Sequence, residues 1–278
     1  MKQLFDQVSA KCSKQITRTY STSFSLGINF LNRKIHEPIY GIYGFVRLAD
    51  EIVDSFHNYD KHELLKRFSN ETELAIAQKI SLNPVLNSFQ KVVNKYRIEP
   101  ELIEAFLNSM EMDLRQTSHD TQSFNEYILG SAEVVGLMCL RVFTDGNEAL
   151  YQQLKPAAMK LGSAFQKVNF LRDMQQDYEI LGRSYFPGIN FKEFNHSQKK
   201  EIENDINNDF NHALDGIKKL PRSSRLGVYI AYVYYRSLFS KIHALPAERI
   251  MRQRIRIANK TKISLLINSV IRNQFNTL

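Results

Sequence analysis

In ten successive stretches of this 278-residue chain the apolar side chains return every three or four positions, the period of an α-helix. The stretches are Leu4–Tyr20, Pro38–Phe56, Asp60–Lys79, Asn83–Tyr96, Pro100–Gln116, Ser123–Phe143, Asn147–Tyr178, Ser197–Lys219, Ser223–Ala244 and Lys260–Phe275. The first closes at the Ser/Thr-rich Ser21-Thr22-Ser23. Pro38 is expected in a first turn, where its missing N–H costs nothing, and Pro156 is expected to break or kink the long seventh helix. No turn flanked by alternating apolar residues marks a hairpin, and no repeat is present. The chain has only 11 Gly and 7 Pro, too few for the turns of a sandwich, barrel or propeller. The expected fold is all-α, a helical bundle in which residues 1–278 form a single domain.

Composition narrows the function classes. The chain is 43% hydrophobic and 24% charged, as in a globular protein and unlike a disordered one. Cys12 and Cys139 suggest no disulfide framework, and Met1–Ser9 does not read as a secretory signal. The longest apolar runs, Val134–Leu140 and Leu226–Tyr235, are shorter than the roughly 20 residues of a membrane span. These features predict a cytoplasmic protein without its own membrane anchor. The net charge is +8, and Arg249, Arg252, Arg254, Arg256, Lys260 and Lys262 crowd the C-terminal end against Glu248 alone. No signature of a particular oligomeric state is present.

Two helices carry a polar stripe through apolar surroundings. Tyr40, Tyr43, Arg47, Asp50 and Asp54 are spaced three, four, three and four, so they share one helix face. Their neighbours Ile42, Phe45, Val46, Leu48, Ala49, Ile52 and Val53 are apolar, as in a buried helix. Gly162, Gln166, Asn169, Asp173 and Asp177 repeat the arrangement among Leu161, Ala164, Phe165, Val168, Phe170, Leu171 and Met174. An isolated Asp-x-x-x-Asp is ordinarily a solvated helix face. Two of them in apolar helices point instead to four carboxylates turned inward, which need a cation. Carboxylate oxygens suit Mg²⁺, which binds through a few carboxylates together with substrate phosphates. The histidines and cysteines have no spacing for a softer metal. The implied chemistry is metal-assisted handling of a phosphate or diphosphate. A nucleic-acid partner is not expected, because carboxylate stripes repel phosphate unless a metal intervenes.

These residues also carry a resemblance. Tyr43 through Asp54, YGFVRLADEIVD, resembles the first aspartate motif of the squalene/phytoene synthase family. Gln166 through Pro187, QKVNFLRDMQQDYEILGRSYFP, resembles the second motif and its Gly-Arg-x-Tyr-x-Pro tail. Ser21-Thr22-Ser23-Phe24 is similar to the family's Ser-x-Ser-Phe flap. Tyr127 with Ala132-Glu133-Val134-Val135-Gly136 is similar to its central segment. The motifs stand in family order from about Ser21 to Lys262, and the carotenoid-pathway branch of bacteria is most similar. Three positions depart from the commonest pattern: Glu51 replaces an aspartate, Gln176 a glutamate, and Tyr20 a histidine of some relatives.

The resemblance implies an isoprenoid-synthase bundle with a central cavity, and a prenyltransferase that joins two allylic diphosphates head to head. For the carotenoid branch the substrate is geranylgeranyl diphosphate, converted through a cyclopropyl diphosphate to phytoene in the first committed step of carotenoid synthesis. Two alternatives stay open: squalene or dehydrosqualene synthesis from farnesyl diphosphate, and a non-catalytic assembly factor with the same fold. Carried over residue by residue, Asp50, Asp54, Asp173 and Asp177, with Asn169, would hold Mg²⁺, with Mn²⁺ as a substitute. Tyr43, Arg47 and Tyr127 join the aspartates in catalysis. Ser21, Ser23, Phe24, Gln166, Asn169, Arg172, Arg183, Tyr185, Arg254 and Lys262 bind substrate, and Ala132, Val135 and Gly136 make room for its chain. Phe24, Phe45, Phe165, Val135 and Leu137 are expected to line a dry cavity that shields a carbocation, and Tyr40 to hydrogen-bond beside the polar stripe. Oily substrates further suggest peripheral contact with the inner membrane face through the basic C-terminal helix.

Overall fold

A computed structural model describes residues 1–189 and 193–274, apart from the side chains of 22, 23, 259, 273 and 274. Among the described residues it is all-α, with no strand beyond an isolated bridge between Ser118 and Ser184. The helices are α1 Lys2–Tyr20, α2 Thr22–Asn29, α3 Arg33–Ser55, α4 Lys61–Gln78, α5 Pro84–Tyr96, α6 Pro100–Arg115, α7 Thr121–Ile128, α8 Val134–Thr144, α9 Glu148–Glu179, α10 His196–Lys219, α11 Arg222–His243, α12 Ala247–Ile250 and α13 Asn259–Gln274.

Short polar side chains start most of these helices, because an unpaired first-turn N–H needs an acceptor. Asp60 accepts from Glu63 N, Asn83 from Val85 N ahead of Pro84, and Asn147 from Leu150 N. Asp120 with Ser123, and Asn195 with Gln198, form reciprocal capping boxes. The same device explains where the structure departs from the sequence expectation. Asn32 caps a helix that begins at Arg33, so Pro38 lies inside α3 rather than in its first turn. Ser21 closes α1 and its side chain then caps a further helix, α2, accepting from Phe24 N at 3.3 Å. α9 runs unbroken through Pro156, packed along its length against α8 and α10.

The stretch expected as one helix over Ser123–Phe143 contains a π-turn at Leu129–Glu133 between α7 and α8. The extra residue of a π-turn shifts the register of everything after it. Here it lets Tyr127 and the Ala132–Gly136 segment serve the same interior. The turn sits hard against α6: a Cβ on Gly130 would stand 2.4 Å from Ala105 O and 2.7 Å from Ser109 Cβ. Thr121–Thr144 as a continuous helical run is long and apolar enough to cross a membrane, unlike the shorter runs visible in the sequence. More than half of its most apolar 18-residue window is buried, and the run packs against α3, α6 and α9, as expected of a core helix.

Two apolar cores flank the centre. One joins α3, α4, α5, α6 and α8 around Phe45, which lies 3.9 Å from Phe89 and 5.4 Å from Phe106, ring centre to ring centre. The other gathers α7, α9, α10 and α11 around Phe210 and Leu171. Charge also ties α9 to α10, where buried Asp209 accepts from Lys167 and Ser163, each at 2.7 Å. Replacing Gly130 with Ala should lower stability by about 1–3 kcal/mol, the usual range for overpacking a filled interface. Thermal melts of the two proteins check this; an unchanged midpoint would mean that α6 and the π-turn separate freely.

Candidate active site

Between the two cores lies one cavity of about 1280 Å³. Asp50 and Asp54 enter it from α3, and Asp173 and Asp177 from α9, so the two stripes face one interior. Like charge across that space is felt directly. Burial pushes the Asp177 carboxyl up to about 7, helped by the negative charges of Asp173 on its own helix and Asp54 on α3. Burial, followed by the charge of Asp54, raises Asp50 in the same way, although Arg47 opposes it.

Arginines answer part of this charge. Arg47 donates to Asp50 and Glu51 and lies 4.4 Å over the Tyr20 ring. Arg172 and Arg254 both bind Asp173, Arg254 Nε at 2.7 Å from Oδ1. Arg183 Nη1 donates to Asp54 Oδ1 at 2.9 Å. Two buried polar atoms on the cavity wall, Arg47 Nε and Ser131 Oγ, have no hydrogen-bond partner among the described residues. A wall with repelling carboxylates, arginine forks and unpaired polar atoms fits a ligand that carries both a cation and anionic oxygens.

Every residue predicted for metal binding, catalysis or substrate binding whose side chain is described reaches the cavity wall. Beyond the aspartates these include Tyr43, Tyr127, Ser21, Phe24, Gln166, Asn169, Arg172, Arg183, Tyr185, Arg254, Lys262, Ala132, Val135 and Gly136. The side chain of Ser23 lies outside the described residues. Tyr43 stacks on Phe24 with centroids 4.6 Å apart, and burial raises its hydroxyl pKa. Asn169 is held between Gln166 and Tyr235, at 3.3 Å and 3.2 Å. Lys262 Nζ lies 5.4 Å over the Tyr234 ring.

Three expectations are corrected. Phe45 and Leu137 do not line the cavity; both are buried core residues, Phe45 turned into the aromatic cluster of α5 and α6. Tyr40 is buried one turn before the polar stripe, with Lys14 of α1 5.8 Å over its ring, and its hydroxyl finds no partner among the described residues. α1 lies against that turn of α3 and keeps Tyr40 from the cavity.

Sequence reasoning missed Asp113, a fifth carboxylate on the wall at the end of α6. Tyr127 donates to its Oδ2 at 2.7 Å and Tyr185 to its Oδ1 at 3.2 Å, while Arg183 lies 3.6 Å away. Burial pushes Asp113 up to about 6 against the pull of Arg183 and the Tyr127 hydrogen bond. Its position three residues after Met110, on the face of Phe106 and Met110, was the available signal. Tyr235, stacked 4.0 Å from Phe165, was also missed.

With this geometry in hand, comparison with known proteins decides the family. The squalene/phytoene synthase profile matches residues 17–261. The chain belongs to the squalene/phytoene synthase family. Its members are prenyltransferases that condense their substrates head to head and generally use a divalent metal for the diphosphates. Among similar proteins, 4,4'-diapophytoene synthase of Staphylococcus haemolyticus is 24% identical over 82% of this chain and 85% of its own length. The 15-cis-phytoene synthase of Synechocystis is 27% identical over 83% of this chain and 75% of its own. In solved structures, a dehydrosqualene synthase in complex with ligand superposes with a TM-score of 0.83 at 20% identity, covering 98% of both chains. Squalene synthase HpnC of Alicyclobacillus acidocaldarius gives 0.75 at 18% identity, covering 86% of this chain and 94% of that one.

The carboxylates predict a pH signature. Asp177 keeps its proton in the folded protein up to about pH 7 and loses it near pH 4 when unfolded. Between those values the folded state binds more protons, so this group lowers stability as pH rises. Asp177→Asn should therefore match the metal-free wild type near pH 4 and exceed it by about 1–2 kcal/mol at pH 8. Thermal melts across that range in EDTA read the difference. A variant less stable than wild type at pH 8 would show that Asp177 is already compensated.

Proposed function

We propose that this member of the family is a phytoene synthase, condensing two molecules of geranylgeranyl diphosphate to phytoene through a cyclopropyl diphosphate. The observation that carries the reading is the shared cavity: carboxylates and arginines at one region of its wall, and small or apolar side chains elsewhere. Gly27, Ala157, Ala213, Gly216, Gly227 and Ala231 keep that apolar part open for long hydrocarbon chains. The phytoene synthases among the relatives support the twenty-carbon substrate.

Asp50, Asp54, Asp173 and Asp177, with Asn169, are the residues that would hold Mg²⁺, with Mn²⁺ as a substitute. Among the described residues no three such ligand side chains are gathered into a ready-made metal cluster. That suits an ion that keeps its waters and completes its shell with substrate phosphates. Bound there, the ion supplies positive charge to a departing diphosphate. The chain's own groups do the rest. Arg47, Arg172, Arg183 and Arg254 present planar forks to diphosphate oxygens, and each has to exchange its present carboxylate for them. Tyr43 and Phe24 place aromatic faces on the cavity wall, where a cationic carbon is favoured by about 0.5–2 kcal/mol per contact. Phe165, Val135 and Leu140 keep water from that carbon, since capture would yield an alcohol. Tyr127 and Tyr185 hold Asp113 at the wall through their hydroxyls.

Product analysis with purified protein and Mg²⁺, offering geranylgeranyl and farnesyl diphosphate separately and without a nicotinamide cofactor, tests the assignment. Phytoene from the longer substrate is expected; exclusive turnover of the shorter one would assign dehydrosqualene synthesis instead. Asp54→Asn should reduce the rate by about 100-fold or more, and equal rates would remove the carboxylate site from the reaction.

A further inference from the structure

We propose that α13 and the basic segment before it form a docking surface for an anionic lipid bilayer, seated beside the cavity rim. The proposal rests on the prenyl-diphosphate reading only for its purpose; the surface itself is read from exposure and charge. Ile263, Ile267 and Ile271 recur every fourth residue on α13 and stand 59%, 53% and 47% exposed. Spacing of four places them on one helix face, and exposed Lys260, three residues before Ile263, shares it. The opposite side of the helix is occupied, with Ser269 buried and α13 packed on α11. An outward ridge of three isoleucines is therefore spare to the fold.

Charge selects the occupant. Residues 241–278 contain eight Lys and Arg against Glu248, and so hold seven of the molecule's eight net positive charges. Arg249, Arg252, Arg254, Arg256 and Lys260 are exposed. A second copy of the chain would have to bring the same positive field against itself. An anionic membrane accepts both components, with isoleucines entering the acyl boundary and basic side chains meeting headgroups.

The surface is continuous with the cavity. Arg254, Ile255, Ile257 and Lys262 line it, and Ile263 follows Lys262 directly. The segment is pinned to α9 where Arg254 meets Asp173 and Ile255 N donates to Arg172 O at 3.4 Å. A bilayer bound through α13 thus lies against the element that forms the rim, which shortens the aqueous path of a water-insoluble substrate or product.

Vesicle co-sedimentation of the full-length protein tests this without any substrate. The wild type should bind phosphatidylcholine vesicles containing phosphatidylglycerol and leave pure phosphatidylcholine largely unbound, with binding falling as salt rises. The triple variant Ile263→Asn/Ile267→Asn/Ile271→Asn should bind about tenfold less or weaker still. Arg252→Glu/Lys260→Glu, which leaves the ridge intact, should lose a similar factor. Both variants should keep the wild-type circular dichroism and melting point, and their turnover of detergent-dispersed substrate, while turnover of vesicle-embedded substrate falls. Equal binding by folded variants and wild type, or equal binding to neutral and anionic vesicles, would overturn the proposal. So would a wild-type dimer in sedimentation velocity that the isoleucine substitutions split. Absent turnover in detergent with normal vesicle binding would fault the substrate reading alone.

Discussion

Repulsion between carboxylates held in a cavity between two apolar cores is the constraint on which this molecule is organised. A buried acid is tolerated only if it is neutralised, paired or joined by a cation. Here Asp50, Asp54, Asp113, Asp173 and Asp177 share one interior, and pairing is partial. Arg47, Arg172, Arg183 and Arg254 each take a carboxylate, yet Asp50, Asp113 and Asp177 still hold protons far above the usual range. Such a wall stores unfavourable charge that a metal–diphosphate ligand can relieve. Under the proposed function the arginines would gain diphosphate as the carboxylates gained the ion, so one binding event would serve both exchanges.

The cores on either side make this arrangement affordable. Phe45, Phe89 and Phe106 pack one wall, Phe210 and Leu171 the other, and Tyr127 and Tyr185 of the site are built into the second core. Small side chains then set the spacing. Gly130 lets α6 meet the π-turn, and Gly162 lets α9 approach it, since a Cβ there would stand 2.6 Å from Ala132 O. Bulk at either position would push apart the walls that carry Tyr127 and Asp173.

Much of the site was legible in the sequence because its parts are local. Two carboxylates four apart on a helix face meet the same side whatever surrounds them, so the stripes on α3 and α9 could be read from spacing. Where reading failed, the missing information was a neighbour. Phe45 and Tyr40 sit within the right helix, but α5, α6 and α1 decide which way those rings are covered. The π-turn had no marker in composition, and α2 was hidden in a short Ser/Thr-rich stretch read as a helix end. Asp113 stands alone near the end of α6 in the sequence, and Tyr127 of α7 with Arg183 and Tyr185 of the loop after α9 give it company only in the fold.

By itself the sequence determined the helical class, the two carboxylate faces and the basic C-terminal segment. Each of these follows from composition or from the 3.6-residue period, which acts within a few turns of one helix. Tertiary structure alone decided that the faces oppose each other across one cavity, that Asp113 joins them, and that three isoleucines of α13 remain uncovered. Those facts depend on how helices distant in the chain pack, and packing is a property of surfaces brought together, which no single segment contains.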